Sequence, residues 1–205
     1  LFSSGEALSL SLISKCHKLL PHVAIHNLYG PTEASVDVLY YDCNDRDLDK
    51  VYIGKPIYNT TAYILDSNLQ PLPIGAMGEL YIGGAGLARG YLNRPDLTID
   101  RFIINPFQSV EEKSQGKNSR LYKTGDLVCY LPDGNIEYIG RNDSLIKIRG
   151  FRVELGEIES TLKNYSIPPN HQFMSDGVKA WNLEMECPIK QSVVLVRERF
   201  ATDDN

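Results

Sequence analysis

Cysteine is scarce in this sequence, and its placement excludes a compact metal or redox motif. The four cysteines, Cys16, Cys43, Cys129 and Cys187, lie far apart and form no Cys-x-x-Cys pair. Because paired spacing is the usual sign of a disulfide framework or a metal site, we interpret them as reduced thiols of a cytoplasmic protein.

Long apolar runs and clustered positive charge are also absent. No apolar segment approaches the roughly 20 residues that span a bilayer, so no membrane protein is indicated. The 21 Lys and Arg are scattered among 26 acidic residues and the net charge is −5, which argues against nucleic-acid binding. Leu1–Gly5 carries no initiator Met or secretion signal, and we expect a chain cut from a longer polypeptide.

The composition that remains is that of a globular protein, 42% hydrophobic and 23% charged. The helical spacing of Leu8, Leu12, Cys16 and Leu19, ended by Pro21, predicts a helix over 8–20. A strand is predicted at Val23–Leu28, followed by a turn and, at 42–50, a polar loop. Further strands are predicted at Thr61–Leu65, Glu79–Ile82, Asp126–Tyr130 and Ile136–Ile139. Residues 132–135 predict a hairpin turn, and Glu111–Arg120 a mobile surface loop.

A second unit is predicted to begin near Arg141. A strand at Leu145–Arg149 precedes a helix face marked by Leu155, Ile158 and Leu162, and a further strand is predicted at Ser192–Arg197. Strand, helix and strand in this order indicate a small α/β unit.

The segment Asn27–Glu33 carries the first chemical motif. Gly30 lets backbone approach a ligand, and Thr32 and Glu33 place a hydroxyl beside a carboxylate. Hard oxygen donors of this kind suit Mg²⁺ and phosphate. A polar turn at a strand end is also common in α/β proteins, so the motif alone leaves both interpretations open.

A glycine-rich segment, Gly83–Tyr91, follows a predicted strand. It resembles the start of a dinucleotide-binding fingerprint, but its third glycine is misplaced. We expect Asn93-Arg94-Pro95 to stop any following helix, so a tight loop with structural glycines is the better interpretation.

Two further segments have plausible ligand-binding and structural interpretations. Asp126, expected at a strand entrance, could accept two hydrogen bonds from a ribose diol or could cap a turn. Residues 140–159 alternate bases and acids densely, which is also typical of a solvated face with weak ion pairs.

Together, in order and spacing, these segments resemble the adenylate-forming superfamily and, within it, the adenylation domains of nonribosomal peptide synthetases. The similarity covers residues 1 to about 163 and resumes at about 189 to 203. The matching motifs are NxYGPTE at 27–33, GELYIGGxGxARGY at 78–91, Y(R/K)TGDL at 122–127 and GRxDxQVKIRGxRxELGEIE at 140–159, where Leu145 replaces the usual Gln.

The resemblance implies an α/β (α+β) fold and a division of the chain. Residues 1–140 would form the C-terminal portion of the large adenylation subdomain, with sheet and β-barrel strands. Residues 141–205 would form the hinge, at Asp143, and part of the small C-terminal subdomain. An atypical insert at about 166–188 is interpreted as the remnant of an auxiliary domain, such as a methyltransferase, or as a plain surface loop.

The resemblance also assigns roles to individual residues. The catalytic pair would be Thr32, at the α-phosphate, and Glu33, holding Mg²⁺. The ATP-binding residues would be Gly5, Glu6 and Ala7 along the adenine, Tyr29 stacked on it, Gly30 in the same turn, Asn27 at the adenine edge, and Asp126 with Arg141 at the ribose.

The implied reaction joins an amino-acid carboxylate to the α-phosphate of ATP, giving aminoacyl-AMP and pyrophosphate. The implied partner is a peptidyl carrier protein whose phosphopantetheine thiol then takes the aminoacyl group. An MbtH-like protein is a further expected partner. A phosphate loop and an amine-binding Asp are expected upstream of Leu1, and a catalytic Lys downstream of Asn205, so we expect no turnover by this chain alone.

The substrate pocket of the family is lined in part by positions that this chain contains, namely Phe2, Ser4, Leu28, Val36 and Asp37. This set is similar to that of serine-activating domains, and Ser4 with Asp37 could bond a hydroxyl. Threonine or another small amino acid is the alternative, as is a core role for Leu28 and Val36. A non-catalytic scaffold and an acyl- or aryl-acid CoA ligase also remain open.

Overall fold

The structure, a computed structural model, describes residues 1–45 and 48–142 in full and the backbone of 145–148 and 151–154. Beyond these it describes only the single residues Ile158 and Thr161, both with helical backbone. The chain divides into two compact units, Leu1–Asp143 and Ser144–Asn205. The first unit consists of mixed sheets with helices, which confirms the predicted α/β class.

The first sheet has four strands in the order β1-β2-β3-β4. Their bounds are Phe2–Ser3, His26–Tyr29, Leu39–Asp42 and Lys55–Pro56. β1 and β2 are parallel, so the carboxyl ends of these two strands lie at the same edge of the sheet. The other two pairings are antiparallel.

Helix α1, Leu10–Leu19, makes the crossover between β1 and β2 and confirms the helix expected from the apolar spacing. It begins after Ser9, whose hydroxyl accepts a hydrogen bond from the amide of Leu12 and so satisfies one of the helix's first donors. Its apolar face buries Ile13 against Ile25 and Cys43. Strand β2 begins at His26, later than predicted, because Val23 lies exposed before it.

The second sheet has five antiparallel strands built around one long strand, β8. The order is β5-β6-β8-β7, and β9 pairs with β8. The bounds are Thr60–Leu65 for β5, Gly78–Gly84 for β6, Phe102–Ile104 for β7, Arg120–Tyr130 for β8 and Ile136–Arg141 for β9.

The predicted strand at Asp126–Tyr130 is the second half of β8, and the prediction that Asp126 lies at a strand entrance was wrong. The strand starts at Arg120 because Leu121 and Tyr122 already pair with both β6 and β7. The predicted hairpin turn is confirmed by a hydrogen bond of 2.8 Å from the amide of Leu131 to the carbonyl of Asn135.

One buried apolar cluster joins the two sheets. It draws on both, and its members are Ala34, Val38, Leu39, Ile53, Ile64, Leu80, Ile82, Val128 and Ile136. Burial of these side chains packs Leu39 of β3 against Leu80 and Ile82 of β6 and Val128 of β8, with Tyr29 partly buried against the same cluster.

Two helices were not predicted. Helix α2, Pro95–Arg101, begins at the proline that was expected to prevent a helix, because the first helical position needs no backbone N–H. Helix α3, Val110–Gln115, occupies part of the predicted mobile loop. It forms because Ser109 and Glu112 make a capping box and Gly116 adopts the left-handed conformation that ends it.

The second unit contributes an antiparallel hairpin, β10 at Leu145–Ile148 and β11 at Phe151–Glu154. β10 agrees with the predicted strand at 145–149. Asp143, the strand at Ser192–Arg197 and the insert at 166–188 lie outside the described residues. Within the described part of the chain, no helix combines the length and the apolar character that crossing a membrane requires.

Candidate functional site

The turn that follows β2 is held in a tight form by a glycine. Beyond Tyr29 the chain passes through Gly30 and Pro31 into a single 3-10 turn, Thr32–Ala34. A Cβ on Gly30 would lie 2.2 Å from the carbonyl oxygen of Val36, so only glycine allows the returning backbone to pass this close. The turn leaves Thr32 exposed and buries Glu33.

The structure brings the first motif into contact with the third. The hydroxyl of Tyr29 donates a hydrogen bond to Oδ2 of Asp126, 97 residues later in the chain. Burial, with the Asp126 carboxylate as the next cause, raises the pKa of Tyr29 well above that of a free phenol. Tyr29 therefore stays protonated and remains a donor to the carboxylate.

Arg141 holds the other carboxylate oxygen of Asp126. Its Nη1 lies 2.6 Å from Oδ1, and its Nη2 donates to the carbonyl of Thr124 at 3.0 Å. Asp126 is 5% exposed. A charge as buried as this requires a cationic or hydrogen-bonding partner, and Arg141 and Tyr29 together supply both.

A bend in β8 sets the direction of the Asp126 side chain. Gly125 has a φ of 77°, which a residue with a side chain adopts only at a cost. Its amide donates to Oε1 of Glu79 at 3.0 Å, and the hydroxyl of Thr124 donates to the carbonyl of Leu80 at 2.7 Å. The Thr-Gly-Asp sequence thus forms a kink that is tied to the neighbouring strand.

Glu33, at 4% exposed, receives a hydrogen bond of 2.6 Å at Oε1 from the hydroxyl of Tyr91. Sequence reasoning did not identify Tyr91 as a site residue. The only available signal was its place at the end of the glycine-rich motif, and nothing in that motif points to a partner 58 residues away.

Asn27 lies in β2, and its side chain is buried. Its Nδ2 donates to the carbonyl of Tyr52 at 2.8 Å, whereas its Oδ1 accepts no hydrogen bond from the described residues. A buried acceptor without a donor is costly, and an amino group of a ligand could satisfy it.

Gly5, Glu6 and Ala7 follow β1 after one intervening residue, Ser4. Because β1 is parallel to β2, with Ser3 opposite Asn27, these residues leave the sheet at the edge where the Tyr29 turn begins. The structure therefore brings Tyr29, Asp126 and Arg141 into contact and places 5–7 after the strand next to β2, whereas Asp143 falls outside the described residues.

Of the five expected pocket residues, Ser4 and Asp37 are in contact at this sheet edge, whereas Phe2 lies opposite His26, the first residue of β2. The hydroxyl of Ser4 donates to Oδ1 of Asp37 at 2.6 Å, which joins the end of β1 to the end of the turn. Phe2 is 70% exposed and Val36 is 63% exposed. Val36 is therefore not buried within this chain, and Leu28 is partly buried.

The 3-10 turn after β2 contains one carboxylate, that of Glu33, that could bind a magnesium ion. Among residues 1–45 and 48–142, no group of three or more His, Cys, Asp or Glu side chains could hold a metal ion. Mg²⁺ is commonly held by one or two carboxylates together with phosphate oxygens and water, and Glu33 fits that type of site.

Comparison with known proteins gives a consistent result. Residues 1–92 match the family described as AMP-binding enzyme. Malpinin synthetase of Mortierella alpina is 49% identical over 168 residues, which is 80% of this chain and 2% of that protein. N-(5-amino-5-carboxypentanoyl)-L-cysteinyl-D-valine synthase of Penicillium rubens is 50% identical over 165 residues, which is 78% of this chain and 4% of that protein. The chain thus spans only a small part of the curated relatives it matches.

Solved structures agree with this comparison. PA1221, an NRPS protein containing adenylation and PCP domains, superposes with a TM-score of 0.71 at 30% identity, over 80% of this chain and 32% of that one. NpsA-ThdA, an artificially fused adenylation-PCP di-domain NRPS from Klebsiella oxytoca, superposes with a TM-score of 0.68 at 33% identity. The match covers 80% of this chain and 29% of that one.

Proposed function

Because the chain carries an AMP-binding domain of the nonribosomal peptide synthetase adenylation type, we propose that it works as part of an amino-acid-activating domain. The reaction joins an amino-acid carboxylate to the α-phosphate of ATP. The aminoacyl-adenylate then passes its acyl group to the phosphopantetheine thiol of a peptidyl carrier protein. An MbtH-like protein and an auxiliary domain near 166–188 are further partners that we propose.

The contact between Tyr29 and Asp126 is the observation that carries this proposal. It brings the aromatic residue of the turn and a buried carboxylate to one place, although 97 residues separate them. An aromatic ring offers a stacking surface for adenine, and a carboxylate accepts hydrogen bonds from a ribose diol. Asn27 supports the assignment, because its buried Oδ1 could accept a hydrogen bond from the adenine amino group.

We assign the phosphate end to Thr32 and Glu33. Thr32 is exposed in the turn, and its hydroxyl could donate to a phosphate oxygen. Mg²⁺ held at Glu33 would neutralise part of the phosphate charge. The protein's own contribution is alignment of the two reactants and fixed polar groups, since adenylate formation needs little covalent chemistry from side chains.

We also propose L-serine as the substrate. The support is the hydrogen bond of 2.6 Å between Ser4 and Asp37, two residues that the family resemblance assigns to the pocket. A site that hydrogen-bonds a substrate hydroxyl discriminates strongly against analogues that lack it. Threonine is the nearest competitor, since it carries the same hydroxyl and one more methyl group.

The test is ATP–pyrophosphate exchange with every proteinogenic amino acid, on a longer version of the chain that carries the expected phosphate loop and catalytic Lys. We expect exchange with serine to exceed all others. Exchange with another amino acid would keep the activity and overturn the serine assignment. No exchange by a folded protein, with and without an MbtH-like partner, would support the scaffold alternative.

A further inference from the structure

The glycine-rich loop, residues 83–91, packs against the turn that carries Thr32 and Glu33. The amide of Ala88 donates to the carbonyl of Glu33 at 2.8 Å, and the hydroxyl of Ser35 donates to the carbonyl of Gly86 at 2.7 Å. A Cβ on Gly86 would lie 3.1 Å from the carbonyl oxygen of Ala34. These contacts hold loop and turn together along their backbones.

The loop is also fixed from the side of β8. The guanidinium of Arg120 donates to the carbonyl of Arg89 at 2.9 Å and to that of Ala88 at 2.8 Å. The same guanidinium lies 5.3 Å above the ring of Phe102. A planar donor with two backbone acceptors and a ring beneath it holds the loop in one conformation.

The glycines of this loop serve packing. A Cβ on Gly84 would lie 2.2 Å from the carbonyl oxygen of Asn59, and the amide of Ala85 already donates to that oxygen at 3.1 Å. A loop that cradled a phosphate would instead present its amides to the ligand. Its glycines therefore allow close approach to β5 and to the turn.

Tyr91 ends the loop, and four groups hold it. Its amide donates to the hydroxyl of Thr98 at 2.9 Å, and its ring meets that of Phe102 at 67° with the centroids 5.7 Å apart. Its hydroxyl donates to Oε1 of Glu33 at 2.6 Å and lies 3.5 Å from that of Tyr122. Burial, followed by the hydrogen bond to Glu33, raises the pKa of Tyr91 well above that of a free phenol, so the hydroxyl remains a donor.

We propose that Tyr91 is a positioning residue for the Glu33 carboxylate and that the glycine-rich loop is its rigid support. One oxygen of Glu33 is held by Tyr91, which fixes the side-chain rotamer and the direction of the other oxygen. A carboxylate aligned in advance binds a metal–nucleotide complex at lower entropic cost. The inference rests on the proposed function, because the magnesium role of Glu33 belongs to it.

The contact is tested first in this chain, without any activity. A double-mutant cycle in urea combines Tyr91→Phe with Glu33→Gln. We expect the effect of the double variant on the unfolding equilibrium constant to differ about fivefold or more from the product of the two single effects. The control cycle uses Tyr130→Phe, which removes a hydroxyl that donates to the carbonyl of Ala62 at 2.9 Å. In this control cycle, the effect of the double variant on the unfolding equilibrium constant should equal the product of the single effects within about twofold. Should Glu33→Gln fail to fold, Glu33→Asp shortens the side chain and serves in its place.

The functional role is tested in the longer adenylating protein by titrating Mg²⁺ in the exchange assay. We expect Tyr91→Phe to raise the half-saturating Mg²⁺ concentration about tenfold, with a smaller change in the rate at saturation. Tyr130→Phe should match the parent. The role of Tyr91 is overturned, and the proposed function stands, if the parent is active and Tyr91→Phe has the same Mg²⁺ dependence as the parent and Tyr130→Phe. It is likewise overturned if the cycle of Tyr91→Phe with Glu33→Gln shows no coupling. An inactive parent overturns the proposed function and this role of Tyr91 with it.

Discussion

Arg141 and Asp126 face each other across the β8–β9 ladder, and their side chains form an ion pair with Nη1 2.6 Å from Oδ1. The pair lies beside the Tyr29 hydroxyl. The pairing of β8 with β9 therefore positions a cation and a carboxylate at the proposed ribose site. Their side chains are 17% and 7% exposed, which makes the pair sensitive to loss of either partner.

Asp126→Asn should lower the free energy of unfolding by about 2–3 kcal/mol, because it replaces a buried carboxylate that pairs with Arg141 by a neutral amide. The measurement is a urea titration followed by far-UV circular dichroism. Asp96→Asn is the matched control, since Asp96 pairs with Arg94 in side chains that are 66% and 58% exposed. That control should leave the midpoint unchanged, and equal effects from both variants would contradict the account.

Gly30→Ala should destabilise the protein by about 2 kcal/mol or more, because its Cβ would meet the backbone of Val36 at 2.2 Å. Gly140→Ala is the control, since a Cβ there has nothing within 4 Å. Its effect should stay below about 1 kcal/mol and lie in the stabilising direction. Urea midpoints compare the two, and a tolerated Gly30→Ala would show that the turn is looser than described.

Alkaline pH should destabilise the fold partly through Tyr81. Burial, with the Glu79 carboxylate as the next cause, raises the pKa of Tyr81 to about 12, whereas a phenol in an unfolded chain titrates near ~10. As the pH rises, the unfolded chain loses this proton first. The contribution of the protonated Tyr81 phenol to the free energy of unfolding is therefore fully present below about pH 10. It is lost progressively as the pH rises from about 10 to about 12.

Tyr81→Phe should accordingly make the decline in stability between these pH values shallower than in the parent. Urea midpoints measured at successive pH values give the slope. Tyr58→Phe, which removes a phenol that is 90% exposed, serves as the control. Identical slopes for the parent and Tyr81→Phe would argue against a buried phenol at this position.

Ser4→Ala should reduce the preference for serine over alanine in the exchange assay by about tenfold, since the proposed pocket then loses one hydroxyl. The expected change is in kcat/KM for serine, with less change for alanine. Ser67→Ala removes an exposed serine hydroxyl elsewhere and should leave the ratio unchanged. A ratio unaffected by Ser4→Ala would exclude Ser4 from the pocket.

Patterns close together in the sequence were enough to predict about half of the helices and strands. Alternation and turn residues located β5, β6 and β9, and apolar spacing located α1, because each signal depends on neighbours within a few residues. Helix α3 was missed because its forming signal is the pair Ser109 and Glu112 in a segment that is otherwise polar. Strand β7 was missed because three residues give no periodicity.

The sequence by itself determined the motifs, their order and the resemblance they carry, since these are properties of residue identity and spacing. Only the tertiary structure decided which motifs meet. Tyr29 reaches Asp126 across 97 residues, and Tyr91 reaches Glu33 across 58. Such contacts depend on strand pairing and on one apolar core shared by two sheets. No local pattern encodes them, because the free energy that brings the segments together comes from burying side chains drawn from the whole unit.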